Sequence, residues 1–385
     1  MGFVSMFMDI SSEMVHSLLP VFLVTVIGSS AMTVGVIEGI AEATALITRI
    51  FSGALSDWLG KRKVVAVAGY GLAALTKPLF AVAGGAGLIF TARCLDRFGK
   101  GLRGAPRDAL IADISPADAR GAAYGLRQAL DSLGACLGPL AALLLMMTLA
   151  GDFRRVFWIA VIPAVIAVSI LILGVKEPAS FTEGGRRPMS FKEIGRLSPS
   201  YWHVVLFGSI FNLARYSEAF LLLRAESVGM VSSFIPAMLM LMNAVYFLAV
   251  YPVGRLSDRI GRNGLVASGL AVLFMANLIL AFADSVSHVA AGVVLWGLHM
   301  GMTQGLLTAM VADEAPAHLR GTAFGIFNLA GGIALLTASV VAGWLWDRHG
   351  APITFFTGAG IALTALVAYL FLGRHKKRVT ASGQT

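Results

Sequence analysis

Twelve apolar runs, each long enough to cross a bilayer as a helix, leave this chain few ways to fold. They lie at 3–28, 33–57, 64–83, 86–112, 119–148, 154–175, 201–225, 229–256, 264–283, 287–312, 320–345 and 351–373. An α-helix needs about 20 apolar residues to span a hydrocarbon core of about 30 Å. No water is present there to satisfy N–H and C=O groups, so a helix, with its internal backbone bonds, is the expected form of each run. The composition agrees, with 57% hydrophobic and only 13% charged residues. The expected fold class is all-α: a polytopic membrane protein of twelve transmembrane helices, with the lipid bilayer as its main partner.

A net charge of +9 could suggest nucleic acid as a partner, but the positions of the cations point to a membrane instead. Lys61, Arg62 and Lys63 follow the second run; Lys176, Arg186, Arg187, Lys192 and Arg196 follow the sixth; Arg259 and Arg262 the eighth; Arg374, Lys376, Lys377 and Arg378 the last. The alternate loops SSAM, GGAG and DSVSH carry no Lys or Arg. By the positive-inside rule both termini are cytoplasmic, with Arg154, Arg155 and Arg348 as outer-side exceptions. The first run lacks a basic leader and a small-residue cleavage site, so it is expected to be a retained helix. Cys94 and Cys136 fall inside runs and are expected to be small packing residues, not a disulfide.

The largest polar interruption, 176–200, divides the chain into an N-terminal six-helix bundle (1–175), a cytoplasmic linker (176–200), a C-terminal six-helix bundle (201–373) and a cytoplasmic tail (374–385). The halves also repeat in sequence. GALSDWLG (Gly53 to Gly60) recurs as GRLSDRIG (Gly254 to Gly261), and ADISPADARGAAYG (Ala112 to Gly125) as ADEAPAHLRGTAFG (Ala312 to Gly325). Two pseudo-symmetric bundles are expected, with a cavity at their interface near the midplane.

GALSDWLGKRK resembles the loop signature of the major facilitator superfamily, G-x-L-S-D-x-x-G-[KR]-[KR]-K, met at Gly53, Leu55, Ser56, Asp57, Gly60, Lys61, Arg62 and Lys63. The second copy keeps Gly254, Asp258 and Gly261 but has Asn263 and Gly264 at later basic positions. The fifth run carries Gly125, Gly134, Gly138 and Pro139 of the antiporter signature, with Ala142 and Leu143 where its closing glycines would stand. The fourth meets R-x-x-x-G-x-G-x-A at Arg97, Gly101 and Ala105, with Arg103 replacing the second glycine. The resemblance covers the whole chain. It implies a secondary active transporter of a bacterial cytoplasmic (inner) membrane, working by alternating access as a monomer. It also implies proton-coupled export (antiport) of a small molecule, with no cofactor beyond the proton gradient. The Asp-Gly-basic spacing suggests a gate latch on the cytoplasmic side: Gly60 supplies a tight turn, Asp57 accepts from a helix N-terminus, and Lys61 and Arg62 reach a carboxylate such as Asp108.

The stretch DRFGKGLRGAPRDAL, Asp96 to Leu110, crowds six charges into fifteen positions. A charge at the centre of a lipid-facing helix costs roughly 2.5–3.5 kcal/mol on insertion scales, so this face must meet protein or water. At helical pitch Asp96, Lys100, Arg103 and Arg107 form one stripe, and Arg97, Gly101, Gly104 and Asp108 the next. Asp96 and Arg97 are expected at a cavity, with Arg107 and Asp108 near the interface, and Pro106 is expected to bend the helix.

Partners lie on other runs. Asp9, Ser12, Glu13 and His16 share one face of the first helix, and Asn212, Arg215 and Glu218 lie on the seventh. Glu38, Glu42 and Arg49 lie on the second, and Arg127 and Asp131 one turn apart on the fifth. The resemblance places Asp9, Glu13, Asn212, Arg215 and Glu218 near the substrate route. Burial raises an acid's pKa and a neighbouring Arg lowers it, so Asp9, Glu13 or Glu218 is a candidate for the coupling proton, with Arg97 or Arg215 as competitor. One alternative is a divalent metal exporter of the nickel type, for which Asp9, Glu13 and His16 offer oxygen and imidazole ligands. Another is an organic anion or siderophore held by Arg97, Lys100, Arg103 and Arg215. Neither H-E-x-x-H nor G-x-x-x-x-G-K-[ST] occurs, so an enzyme has no support.

Overall fold

The computed structural model describes residues 1–116, 119–175, 177, 197–260, 262–316 and 319–382, with the backbone alone at 54, 57, 258–260, 262, 263, 320, 321 and 371–382. Among the described residues every long element is an α-helix: α1 (Gly2–His16), α2 (Leu19–Thr25), α3 (Ala31–Leu59), α4 (Arg62–Val82), α5 (Ala86–Ile114), α6 (Arg120–Thr148), α7 (Phe153–Ile159), α8 (Val161–Gly174), α9 (Pro199–Ala214), α10 (Ala219–Ser227), α11 (Pro236–Ile260), α12 (Arg262–Phe282), α13 (Val286–Glu314), α14 (Arg320–His349) and α15 (Ala351–Ser382). The repeat seen in sequence is structural: α4 and α12 start 200 residues apart, as do α5 and α13, and each pair matches in length.

Three runs expected as single helices are broken. The first divides into α1 and α2 at Ser17 and Leu18, just before Pro20, whose missing N–H suits a helix start. The sixth divides into α7 and α8 at Ala160, three residues before Pro163. The seventh divides into α9 and α10 with no proline. There the Ser217 N–H donates to Ser339 Oγ of α14 at 3.1 Å, an outside acceptor that takes it out of a continuous helical ladder. By contrast α5 runs on through Pro106.

Among the described residues ten segments are long and apolar enough to cross a membrane, by length and composition alone. The fourth and seventh crossings fall short. The fourth, α5, carries the charges noted above, and the seventh, α9 with α10, is divided at Arg215–Glu218. Their polar groups are housed by the bundle instead of being excluded from it.

Within the first half α1 packs on α6 and α8, and α5 on α3 and α4; within the second, α12 packs on α13 and α15, and α9 on α14. The halves meet along α3 with α14 and α6 with α11, and through α2 with α10. At the end where α3 begins, this seam is dry. Phe22, Val34, Phe220 and Leu222 are fully buried, and at Gly343 an added Cβ would lie 2.5 Å from Met32 Cα, so only glycine permits the approach. Of the linker only Glu177 and 197–200 are described. Glu177 accepts from the Lys63 N–H at 2.9 Å, capping α4. Arg154, one of the outer-side exceptions, donates to the Ala81 carbonyl at 2.8 Å and lies over the Phe22 ring, so it serves a helix end there.

Candidate functional site

A cavity of about 450 Å³ opens between the halves, walled by α1, α3, α5 and α6 on one side and α11 on the other. Half of its lining residues are charged: Asp9, Glu13 and Glu42 at the deeper end, Arg49, Arg107, Arg127 and Asp131 toward the Gly60 end, and Lys100 and Arg103 between, with Asn243 and Tyr246 facing them from α11. The dry seam closes it from the Asp347 end. Toward the Gly60 end it meets water, and the Arg49 side chain is 56% exposed.

Glycines bring the acids to this wall. Gly134 and Gly138 of α6 lie against α1: an added Cβ at Gly138 would fall 2.6 Å from Glu13 Cβ, and one at Gly134 2.7 Å from the Met6 carbonyl oxygen. The close contact fixes where Asp9 and Glu13 point. Gly125 has open space around it and takes no part. On α5, Gly101 would place a Cβ 2.6 Å from the Ala45 carbonyl oxygen, which seats α5 against α3.

Of the residues expected to bind the substrate or the coupling proton, Asp9, Glu13, Lys100 and Arg103 reach the cavity. Asp96 does not. It is buried inside the first bundle, where Lys77 Nζ donates to its carboxylate at 2.7 Å and to Ser12 Oγ at 3.0 Å. Arg97, also expected at the cavity, is 2% exposed and pairs with Glu42 at 3.1 Å, not with Asp9 or Glu13. Asn212, Arg215 and Glu218 surround the break between α9 and α10, outside the cavity wall, with Arg215 and Glu218 3.7 Å apart. His16 stands between Glu13 at 3.4 Å and Glu38 at 3.6 Å, while Asp9 turns to Arg103 at 3.8 Å. Of the three proposed metal ligands, Glu13 and His16 therefore face each other while Asp9 turns away, and no group of three or more His, Cys, Asp or Glu suited to a metal occurs among the described residues.

The gate-motif residues divide in the same way. Gly60 adopts φ +63° in the turn between α3 and α4, a left-handed conformation that favours glycine. Arg62 pairs with Asp113, one turn and a half beyond Asp108, and Asp108 is shared among Arg49 at 3.6 Å, Arg107 at 3.1 Å and Arg127 at 3.9 Å. These contacts tie α3, α4, α5 and α6 together in this conformation, which is open at the Gly60 end. Gly53 lies 3.4 Å, as an added Cβ, from Ala105 Cβ, and Gly254 has open space. The Asp57 and Asp258 side chains and Gly261 lie outside the described residues.

Sequence reading missed three groups. Lys77 and Arg93 are buried cations, and Arg93 grips Glu38 with two bonds of 3.0 and 2.7 Å. Lone lysine and arginine inside apolar runs were the available signal. Asp347, at the end of α14, accepts from the Ala31 and Met32 N–H groups at the start of α3, each at 2.9 Å. Nothing in the sequence pairs positions 316 apart.

The family model described as Major Facilitator Superfamily matches residues 1–339 and 217–385. An uncharacterised MFS-type transporter of Methanocaldococcus jannaschii is 30% identical over 381 residues, covering 97% of this chain and 94% of that protein. A gentisate transporter of Corynebacterium glutamicum is 27% identical over 364 residues, covering 89% and 80%. Among solved structures, the nucleoside transporter NupG superposes with a TM-score of 0.80 at 12% identity, covering 96% of this chain and 97% of the other, a likeness of fold alone.

Proposed function

The chain belongs to the major facilitator superfamily and is a multi-pass membrane transporter, not an enzyme, and on that footing we propose that it exports a small molecule in exchange for protons by alternating access. The observation that carries this reading is the charged, water-reachable cavity between the halves, closed by a dry seam at one end only. Charged groups this deep in a membrane are tolerated where they border water or pair with one another. Rocking the halves about the site would expose it to the other side.

The Gly60 end is assigned to the cytoplasm, since Lys61, Arg62 and Lys63 lie there, which makes this conformation inward-facing and puts both termini on the cytoplasmic side of a bacterial inner membrane. The functional unit is a monomer. Asp9 and Glu13 at the cavity, and Glu218 beside Arg215 in the broken seventh crossing, are the coupling acids. A discontinuous helix is where irregular backbone serves a transport site in a membrane.

Purified protein in liposomes, tested with labelled organic anions, cations, neutral compounds and nickel under an imposed pH gradient, should move at least one compound outward against proton entry. Carboxamide replacement of Asp9, Glu13 and Glu218 together should leave exchange uncoupled from pH. Flux that ignores the gradient in the unaltered protein would reject proton coupling. Nickel flux would favour a metal substrate although Asp9 turns away from Glu13 and His16.

A further inference from the structure

Resting on the transport reading above, the geometry points to a small organic anion, a carboxylate, as the substrate class, held by Lys100 and Arg103. Each acid on the cavity wall already has a partner, an arginine for three of them and the His16 imidazole for Glu13. Asp9 faces Arg103 at 3.8 Å, Glu13 faces His16 at 3.4 Å, Glu42 faces Arg97 at 3.1 Å, and Asp131 takes a bond from Arg127 at 2.6 Å.

The cations are not all spent. Lys100 is exposed to the cavity and has no hydrogen-bond or salt-bridge partner among the described residues. Arg97 first, then Glu42, Asp9 and Glu13, supply its electrostatic surroundings without pairing to it. Arg103 is 4% exposed and lies over the Tyr70 ring at 4.6 Å, yet its Nη1 is buried with no acceptor. A buried guanidinium donor left unmade is costly, and native structures rarely leave one without a reason. Nη1 is closed off from the cavity, so what Arg103 offers an anion beside Lys100 is its charge on the cavity wall.

Lys100 and Arg103 are three residues apart on α5, so their side chains stand about one turn apart, roughly 5–6 Å between Cβ atoms. A carboxylate bonded to Lys100 would lie beside the Arg103 charge. The opposite wall offers Tyr246 and Asn243 of α11 to the rest of the molecule, so the same ligand would touch both halves. A cationic substrate would have to break one of the four existing acid pairs and would leave Lys100 opposing it.

The test uses the full chain in detergent and matched probes on one scaffold: benzoate, benzamide and benzylamine, with succinate and succinamide as an aliphatic pair. Thermal stabilisation and equilibrium binding should follow the carboxylates, with the amides and amine weaker. Lys100→Gln should weaken carboxylate binding about ten- to a hundredfold, the scale of one charge-assisted bond, and Lys100→Arg should restore most of it. Stabilisation by the amine or amides equal to that by the carboxylates, no stabilisation by any probe, or carboxylate binding unchanged in Lys100→Gln would overturn the assignment. A cysteine at Ser132 on the cavity wall, labelled from each face, separates this from the parent reading. Labelling from both faces with a preference for amines leaves transport standing and the anion class fallen; labelling from one face under every condition removes alternating access itself.

Discussion

Asp347 is expected to hold the molecule closed at the end where α3 begins. The first four N–H groups of a helix have no partner within it. In α3, Thr33 and Val34 find theirs in Ser30, through its Oγ at 3.2 Å and its carbonyl at 3.2 Å. Ala31 and Met32 find theirs in Asp347, across the interface. Capping by a carboxylate contributes about 0.5–2 kcal/mol, and its charge at the positive helix end about 0.3–1 kcal/mol. Asp347 is exposed, so water and salt compete, and the lower part of the range applies, about 1 kcal/mol. Rocking would separate α14 from α3 and lose both bonds, so Asp347→Ala should shift the closed-to-open ratio at this end about fivefold toward open. Asp347→Asn keeps one acceptor without the charge and should give a smaller shift. The assay is labelling of Ser132→Cys, with Cys94 and Cys136 replaced by serine, by an impermeant maleimide added from the Asp347 face. Ser30→Ala weakens the same helix end from within its own half and should leave the ratio unchanged. Equal gains from both faces, or no gain in Asp347→Ala, would refute the idea of a latch that joins the halves.

Three further outcomes follow from the packing. Asp96→Leu alone should destabilise the protein by about 3–5 kcal/mol, because it strands the buried Lys77, and the double change Lys77→Met with Asp96→Leu should recover most of the loss in a thermal unfolding measurement. Gly138→Val, which drives a side chain into Glu13 and the Ile10 carbonyl, should cost about 1–3 kcal/mol and displace the acids of α1, lowering transport more than Gly125→Val, where space is open. Arg224 donates to the carbonyls of Leu280 and Ala283 near the end of α12, so Arg224→Met should loosen that turn and raise hydrogen exchange there while leaving probe binding at the cavity unaltered.

Much of the fold was legible because its signals are local. Apolar run length gives the crossings, and motif repetition gives the two halves, whose α4 and α5 recur as α12 and α13. The breaks were less so. Those near Pro20 and Pro163 follow from residues in the run, whereas the one at Arg215–Glu218 involves a hydroxyl on α14.

The chain's own pattern determined that charges in α5 must avoid lipid, and that some must therefore meet one another or water. Which did which was decided by assembly. Asp96 and Lys100 share a helical stripe, yet Asp96 is sealed by Lys77 of α4 and Lys100 is left open to the cavity. Helical periodicity fixes only the direction in which a side chain leaves its own helix. What it meets there depends on neighbours distant in sequence, and on the glycines that let them approach.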